Sequence, residues 1–255
     1  MIARGYRGAL VLETIEALFG VATFFFLSRF VESPELERAL PAGSNYFAFA
    51  LVGFAFFDYL STALGAFDSS IQEARQNRTL EALLVTQTTL PVILTGSALY
   101  PFTALALRTC VYLGWGALFF GFAPRNANWF GALVILLASI LAFAGLGILS
   151  ASYQILFKRG NPAKWIVLGI SGLLGGMMYP VAALPGPLRI LARLIPVTYS
   201  LEVMRAALLA GAGWAELWPP LVALLVFAAI LIPVSIAVFG WALRRTKITG
   251  TLTHI

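Results

Sequence analysis

Charge is what this chain has least of. Asp, Glu, Lys and Arg make up 11% of its 255 residues, while hydrophobic residues make up 60%. Soluble domains hold roughly 45 to 50% apolar residues even with glycine counted, and about 25% charged ones. A water-soluble fold cannot be clothed from this composition, and the sequence reads as a polytopic membrane protein. Histidine and cysteine are scarcer still. His254 lies in the C-terminal tail and Cys110 inside an apolar run. No internal disulfide, metal-ligand set or converging acid–base group follows from one of each, so neither catalytic residues nor a metal site is expected. Lysine is limited to Lys158, Lys164 and Lys247, which follow Phe157, Ala163 and Thr246. A P-loop needs glycine directly before its lysine, so that backbone amides and the ammonium cradle phosphate together. Nucleotide binding by that route is excluded. The formal charge of +6 is scattered at the ends of apolar runs. That is a pattern of membrane topology, and no basic face for nucleic acid emerges from it.

The apolar runs define the expected fold. Residues 17–31, 46–66, 91–120, 129–156, 165–184 and 217–243 are candidate spans, since a helix needs about 20 apolar residues to cross a bilayer. Residues 1–16 carry Arg4, Arg7, Glu13 and Glu16 among Leu, Val and Ile, which suits a helix lying at the interface. Two glutamates would interrupt the core of a signal peptide there, and no small-residue cleavage site follows. Pro101 is expected to kink the third span. Gly169, Gly172, Gly175 and Gly176 are spaced for close helix approach on the fifth. Residues 184–213 are punctuated by Pro185, Pro187 and Pro196 and carry Arg189, Arg193, Glu202 and Arg205. They divide at Pro196 into two helical pieces of about ten residues, too short to span, which read as re-entrant or interfacial. The expected fold is thus all-α, one transmembrane domain over residues 1–255. It has six transmembrane helices, an N-terminal interfacial helix and a broken re-entrant segment before the last span.

With the N-terminus inside, one side holds Arg4, Arg7, Arg75, Arg78, Lys158, Arg159, Lys164, Arg244, Arg245 and Lys247. The other holds Arg29, Arg38, Arg125, Arg189, Arg193 and Arg205. Ten against six, with three of the six in the re-entrant piece, places both termini in the cytoplasm.

The same orientation puts residues 71–90, IQEARQNRTLEALLVTQTTL, in the cytoplasm. Glu73, Arg75, Arg78 and Glu81 alternate in sign and Leu80, Leu83 and Leu84 recur at helical spacing, which predicts a short amphipathic helix able to dock a partner. The plainer alternative is a solvated turn with internal ion pairs. Within the membrane, Asp58 lies twelve residues from the outer end of its span and Arg108 twelve from the outer end of the next. At about 1.5 Å per residue both are about 18 Å deep. They are expected to pair, because either alone in hydrocarbon is costly; the alternative is that each faces water in a transport path. Tyr46, Phe47, Phe49, Phe54, Phe56, Phe57 and Tyr59 crowd the second span; such aromatic faces can guide sugars or flat drugs, while the plainer reading turns these rings to lipid.

The stretch EARQNRTLEALLVTQTTLPVILTGS, with LARLIPVTYSLEVMRAALLAG before the last span, resembles the membrane subunits of type-2 ABC exporters. That family exports polysaccharides, lipid-linked glycans and drugs, and the resemblance covers nearly the whole chain. It implies that Thr79, Leu80, Glu81, Leu83 and Leu84 match the family's coupling helix, so that Glu73, Arg75, Arg78, Thr79, Leu80, Glu81 and Leu84 meet an ATPase. Pro196, Thr198 and Tyr199 match its Pro-x-Thr-Tyr motif, with Glu202 and Arg205 following in the outer segment. It further implies a separate ABC ATPase in two copies that holds ATP and Mg, and a second copy of this chain or a close relative. The setting is the cell (inner) membrane. The competing class is an ion-coupled carrier or a lipid-modifying membrane enzyme using Asp58 and Arg108. A carrier would more often show two repeated halves, and no repeat is found.

Overall fold

The computed structural model describes residues 2–31, 40, 44–76, 90–124, 126–157 and 161–248. For residues 2–13, 68, 70, 71, 73–76, 90–95, 97–99, 247 and 248 it describes the backbone alone. In chain order the helices are α1 (Ile2–Val31), α2 (Tyr46–Gln76), α3 (Leu90–Phe119), α4 (Trp129–Phe157) and α5 (Pro162–Leu174). After a 3-10 turn at Val181–Ala183 come α6 (Gly186–Ala192), α7 (Pro196–Leu208) and α8 (Trp214–Ile248). There is no strand among the described residues. In hydrocarbon every backbone amide must be satisfied within the segment, and an apolar chain of this kind answers with helices. Asparagine starts three of them. Asn45, Asn128 and Asn161 accept through Oδ1 from the amides of Ala48, Gly131 and Lys164 at 2.9, 2.9 and 3.0 Å, filling donors that the first turn leaves open.

Five helices are long and apolar enough to cross a membrane, through Thr14–Val31, Tyr46–Phe67, Tyr100–Phe119, Trp129–Phe157 and Trp214–Thr246. Residues 2–31 form one unbroken helix, so the lead-in continues into the first span without a joint. The helix at the expected fifth span over residues 165–184 is shorter than that range. Helix α5 has 13 residues, about 20 Å at 1.5 Å per residue, against a hydrocarbon core of about 30 Å. Gly175 caps it and Gly176 follows at φ 80°, a left-handed conformation that ends a helix. Gly175 and Gly176 therefore terminate the helix, and the close approach expected at Gly175 is also present, since a Cβ there would lie 2.9 Å from Val197 of α7. The division before Pro196 lies where the proline pattern put it, with Pro196 at the start of α7.

The interior is organised on α2. Of its apolar stretch 72% is buried within the subunit, against 22% for those of α1, α3 and α8. Tyr46, Phe47, Phe49, Phe56 and Tyr59 are buried, and Phe54 and Phe57 pack against the same core. These rings therefore face protein, which overturns their assignment to lipid. The exposed rings stand on other helices, including Phe19, Phe26 and Phe30 of α1 and Trp129 and Phe130 of α4. Helices α2 and α4 cross at Gly147, where a Cβ would run into the Ala63 carbonyl and lie 2.8 Å from the Phe67 ring.

Candidate functional site

Three groups of residues gather along α2. At its first turn, Arg205 reaches from α7 into the core and is 5% exposed. Its Nε and Nη2 donate to the Phe49 carbonyl at 3.2 and 2.9 Å, Nη1 to the Gly176 carbonyl at 2.6 Å, and Nη2 also to the Met177 carbonyl at 2.7 Å. The guanidinium carbon lies 3.4 Å from the Phe49 ring centre. One side chain thus ties α7, α2 and the turn after α5 together. No carboxylate forms an ion pair with it among the described residues. The carbonyls beyond the C-terminus of α5, the negative end of that helix, take the place of a counter-ion. Burial pushes Arg205 down, to about 9, which leaves it charged at pH 7. The clamp depends on Gly53, where a Cβ would overlap the Met177 carbonyl and lie 2.5 Å from Arg205 Nη2.

The rest of the Pro-x-Thr-Tyr stretch divides by role. Thr198 Oγ1 donates to the Ala192 carbonyl at 2.7 Å, joining α7 to the end of α6 across the break. The Tyr199 ring packs on Phe227 with centres 5.7 Å apart. Tyr199 and Glu202 also line a cavity of about 840 Å³ between α6, α7 and the start of α8, with Arg205 at its wall.

Midway along α2 the structure brings Asp58 and Arg108 together, with Arg108 Nε 3.5 Å from Asp58 Oδ2. Two further residues join them that sequence reasoning did not include. Tyr112, one turn beyond Arg108 on α3, donates its hydroxyl to Asp58 Oδ2 at 3.0 Å. Glu16 of α1 lies 3.3 Å from Arg108 Nη2. Tyr112 was signalled by its i+4 spacing from Arg108. Glu16 had been assigned to the interfacial lead-in. One cation is therefore shared by two carboxylates from different helices.

The far end of α2 leads to the third group. Glu73 and Arg75 stand on the last turns of α2, which closes at Gln76. Arg78, Thr79, Leu80, Glu81 and Leu84 lie outside the described residues. A single helix therefore carries Phe49 of the Arg205 clamp, Asp58 of the ionic group and the lead into residues 77–89.

A family profile described as ABC-2 type transporter matches residues 9–209, from α1 through α7. The chain belongs to the ABC-2 type transporter family. A comparison with curated proteins finds no match. Membership of this ABC-2 family, with its five long apolar helices, makes the chain a multi-pass membrane permease engaged in transport.

Proposed function

We propose that this chain is the transmembrane subunit of an ATP-driven exporter. Two copies, or one copy and a close relative, enclose the substrate path, and a separate ABC ATPase docks on residues 71–90 of each. ATP and Mg belong to that partner. The substrate is a glycan, a lipid-linked molecule or a drug, moved outward across the cell (inner) membrane with both termini in the cytoplasm. In this reading α5 is a short fifth pass, and α6 and α7 re-enter from the outer side, completing six crossings. The observation that carries the proposal is α2, set beside the family match over residues 9–209. Its 31 residues extend about 46 Å as a helix, from the outer clamp through the core to the docking segment. A displacement at the cytoplasmic end is carried to the α5–α7 cap by one rigid element.

The test is the assembled complex. Glu81→Lys should insert and express normally, yet abolish ATP-driven export and the stimulation of ATPase activity by this subunit. Reversing a charge in a buried docking contact removes about 2 to 5 kcal/mol. Unchanged export by the variant would overturn the coupling role. Transport that follows an ion gradient with no ATPase bound would favour the carrier reading, with Asp58 and Arg108 as its ionic path.

A further inference from the structure

The cavity of about 840 Å³ beside α7 is lined by charges of both signs. Arg189 and Arg193 sit one turn apart on α6 and its C-terminal cap, and both are exposed. Arg189 Nη2 donates to the carbonyls of Ala182 and Leu184, and its Nε and Nη1 have no such partner among the described residues. Glu202 of α7 and Glu216 in the first turn of α8 line the same cavity and are also exposed. Among the described residues no ion pair joins either arginine to either glutamate. Arg205, at the same wall, is already committed to backbone carbonyls. The cavity therefore presents two guanidinium groups and two carboxylates that do not neutralise each other, within a volume typical of a small-molecule site. A simple anion would be held by the arginines and repelled by the glutamates, and a simple cation the reverse. A group that carries both charges satisfies all four.

We infer that this cavity binds a zwitterionic group, an anionic phosphate or carboxylate held by Arg193 and Arg189 with an amine held by Glu202 and Glu216. Tyr199 and the apolar walls at Val181, Pro219 and Pro220 cover the uncharged remainder. Such chemistry occurs on aminated lipid headgroups and on aminated, phosphorylated sugars. The inference names a ligand class for the proposed exporter, but its test needs neither ATPase nor transport. Failure of export coupling and failure of this site are therefore separate results.

Binding is read by intrinsic fluorescence and thermal melting of the purified subunit in a non-ionic detergent. The probes are lysophosphatidylethanolamine and lysophosphatidylglycerol of equal chain length, glycerophosphoethanolamine and glucosamine 6-phosphate. The zwitterionic lysolipid should bind about tenfold more tightly than the anionic one, as expected when a charge-assisted contact is gained. Arg193→Gln should weaken the zwitterion by about the same factor. Glu202→Gln combined with Glu216→Gln should bring the two lysolipids close to parity. Tighter binding of glucosamine 6-phosphate than of glycerophosphoethanolamine assigns the ligand to a glycan, and the reverse to a lipid. Equal affinity of the wild-type subunit for both lysolipids, or tighter binding of the anionic one, overturns the inference. If a variant fails to accumulate, the wild-type preference alone decides.

Discussion

Arg205→Lys should lower the melting temperature of the detergent-purified subunit by about 8 °C or more, although it exchanges one cation for another. The guanidinium makes four hydrogen bonds to three carbonyls, and its carbon lies 3.4 Å from the centre of the Phe49 ring. An ammonium is a point donor, with neither the fork nor the plane to reproduce this. It would leave at least one buried carbonyl unpaired, at about 1 to 3 kcal/mol, and give up charge-assisted bonds of about 1.5 to 3 kcal/mol each. A combined loss of about 4 kcal/mol corresponds to about 8 °C or more for a chain of this size, at 2 to 4 °C per kcal/mol. Arg205→Ala should go further and prevent accumulation, because all three carbonyls lose their partner inside a core with total stability of about 5 to 15 kcal/mol. Gly53→Ala removes no hydrogen-bonding group, yet should show much of the same loss. Its added methyl would occupy the space between the Met177 carbonyl and Arg205 Nη2. A melting temperature for Arg205→Lys equal to that of the unaltered subunit would show that the clamp contributes nothing to stability.

That clamp also marks a limit of sequence reasoning. Arg205 was singled out through the motif around it, but its partners are the carbonyls of Phe49, Gly176 and Met177. Main-chain acceptors leave no side-chain pattern to read. The longest elements were legible, because span length and the need for internal hydrogen bonding leave few choices. The expected runs 46–66 and 129–156 correspond to the apolar stretches Tyr46–Phe67 and Trp129–Phe157. Residues 165–184 overran the helix because hydropathy measures side chains, while α5 is ended by the backbone at Gly176 with φ 80°. The aromatic residues of α2 misled for another reason. Lipid and protein interior are equally apolar, so composition alone does not tell which of them Phe47 or Tyr59 will meet. Only the packing of α1, α3, α4 and α7 around α2 encloses them. Depth counting anticipated the proximity of Asp58 and Arg108, since antiparallel neighbours bring level residues together. It carried no information on the rotation of α1, and so none on Glu16.

Glu16 makes the two halves of that ionic group unequal, and mutation should expose the asymmetry. Arg108→Leu removes the cation shared by Asp58 and Glu16. It leaves Asp58, whose side chain is 20% exposed, with only the Tyr112 hydroxyl in place. An orphaned charge of this kind is expected to cost about 3 to 5 kcal/mol. Asp58→Leu is expected to be milder. Arg108 keeps Glu16 at 3.3 Å, and the main loss is the acceptor for the Tyr112 hydroxyl, about 1 to 3 kcal/mol. In the double variant Asp58 is no longer left without its cation, so the loss should fall below the sum of the single losses by about 0.5 to 3 kcal/mol, with Glu16 the one charge of the group that remains. Equilibrium unfolding of the four proteins in one detergent closes the cycle. Glu16→Gln should deepen the Asp58→Leu defect, because it removes the carboxylate that remains 3.3 Å from Arg108 in that variant. Strict additivity of Asp58→Leu and Arg108→Leu would mean that the two side chains are neighbours without energetic coupling. A larger loss for Asp58→Leu than for Arg108→Leu would show that Glu16 does not serve as the second partner.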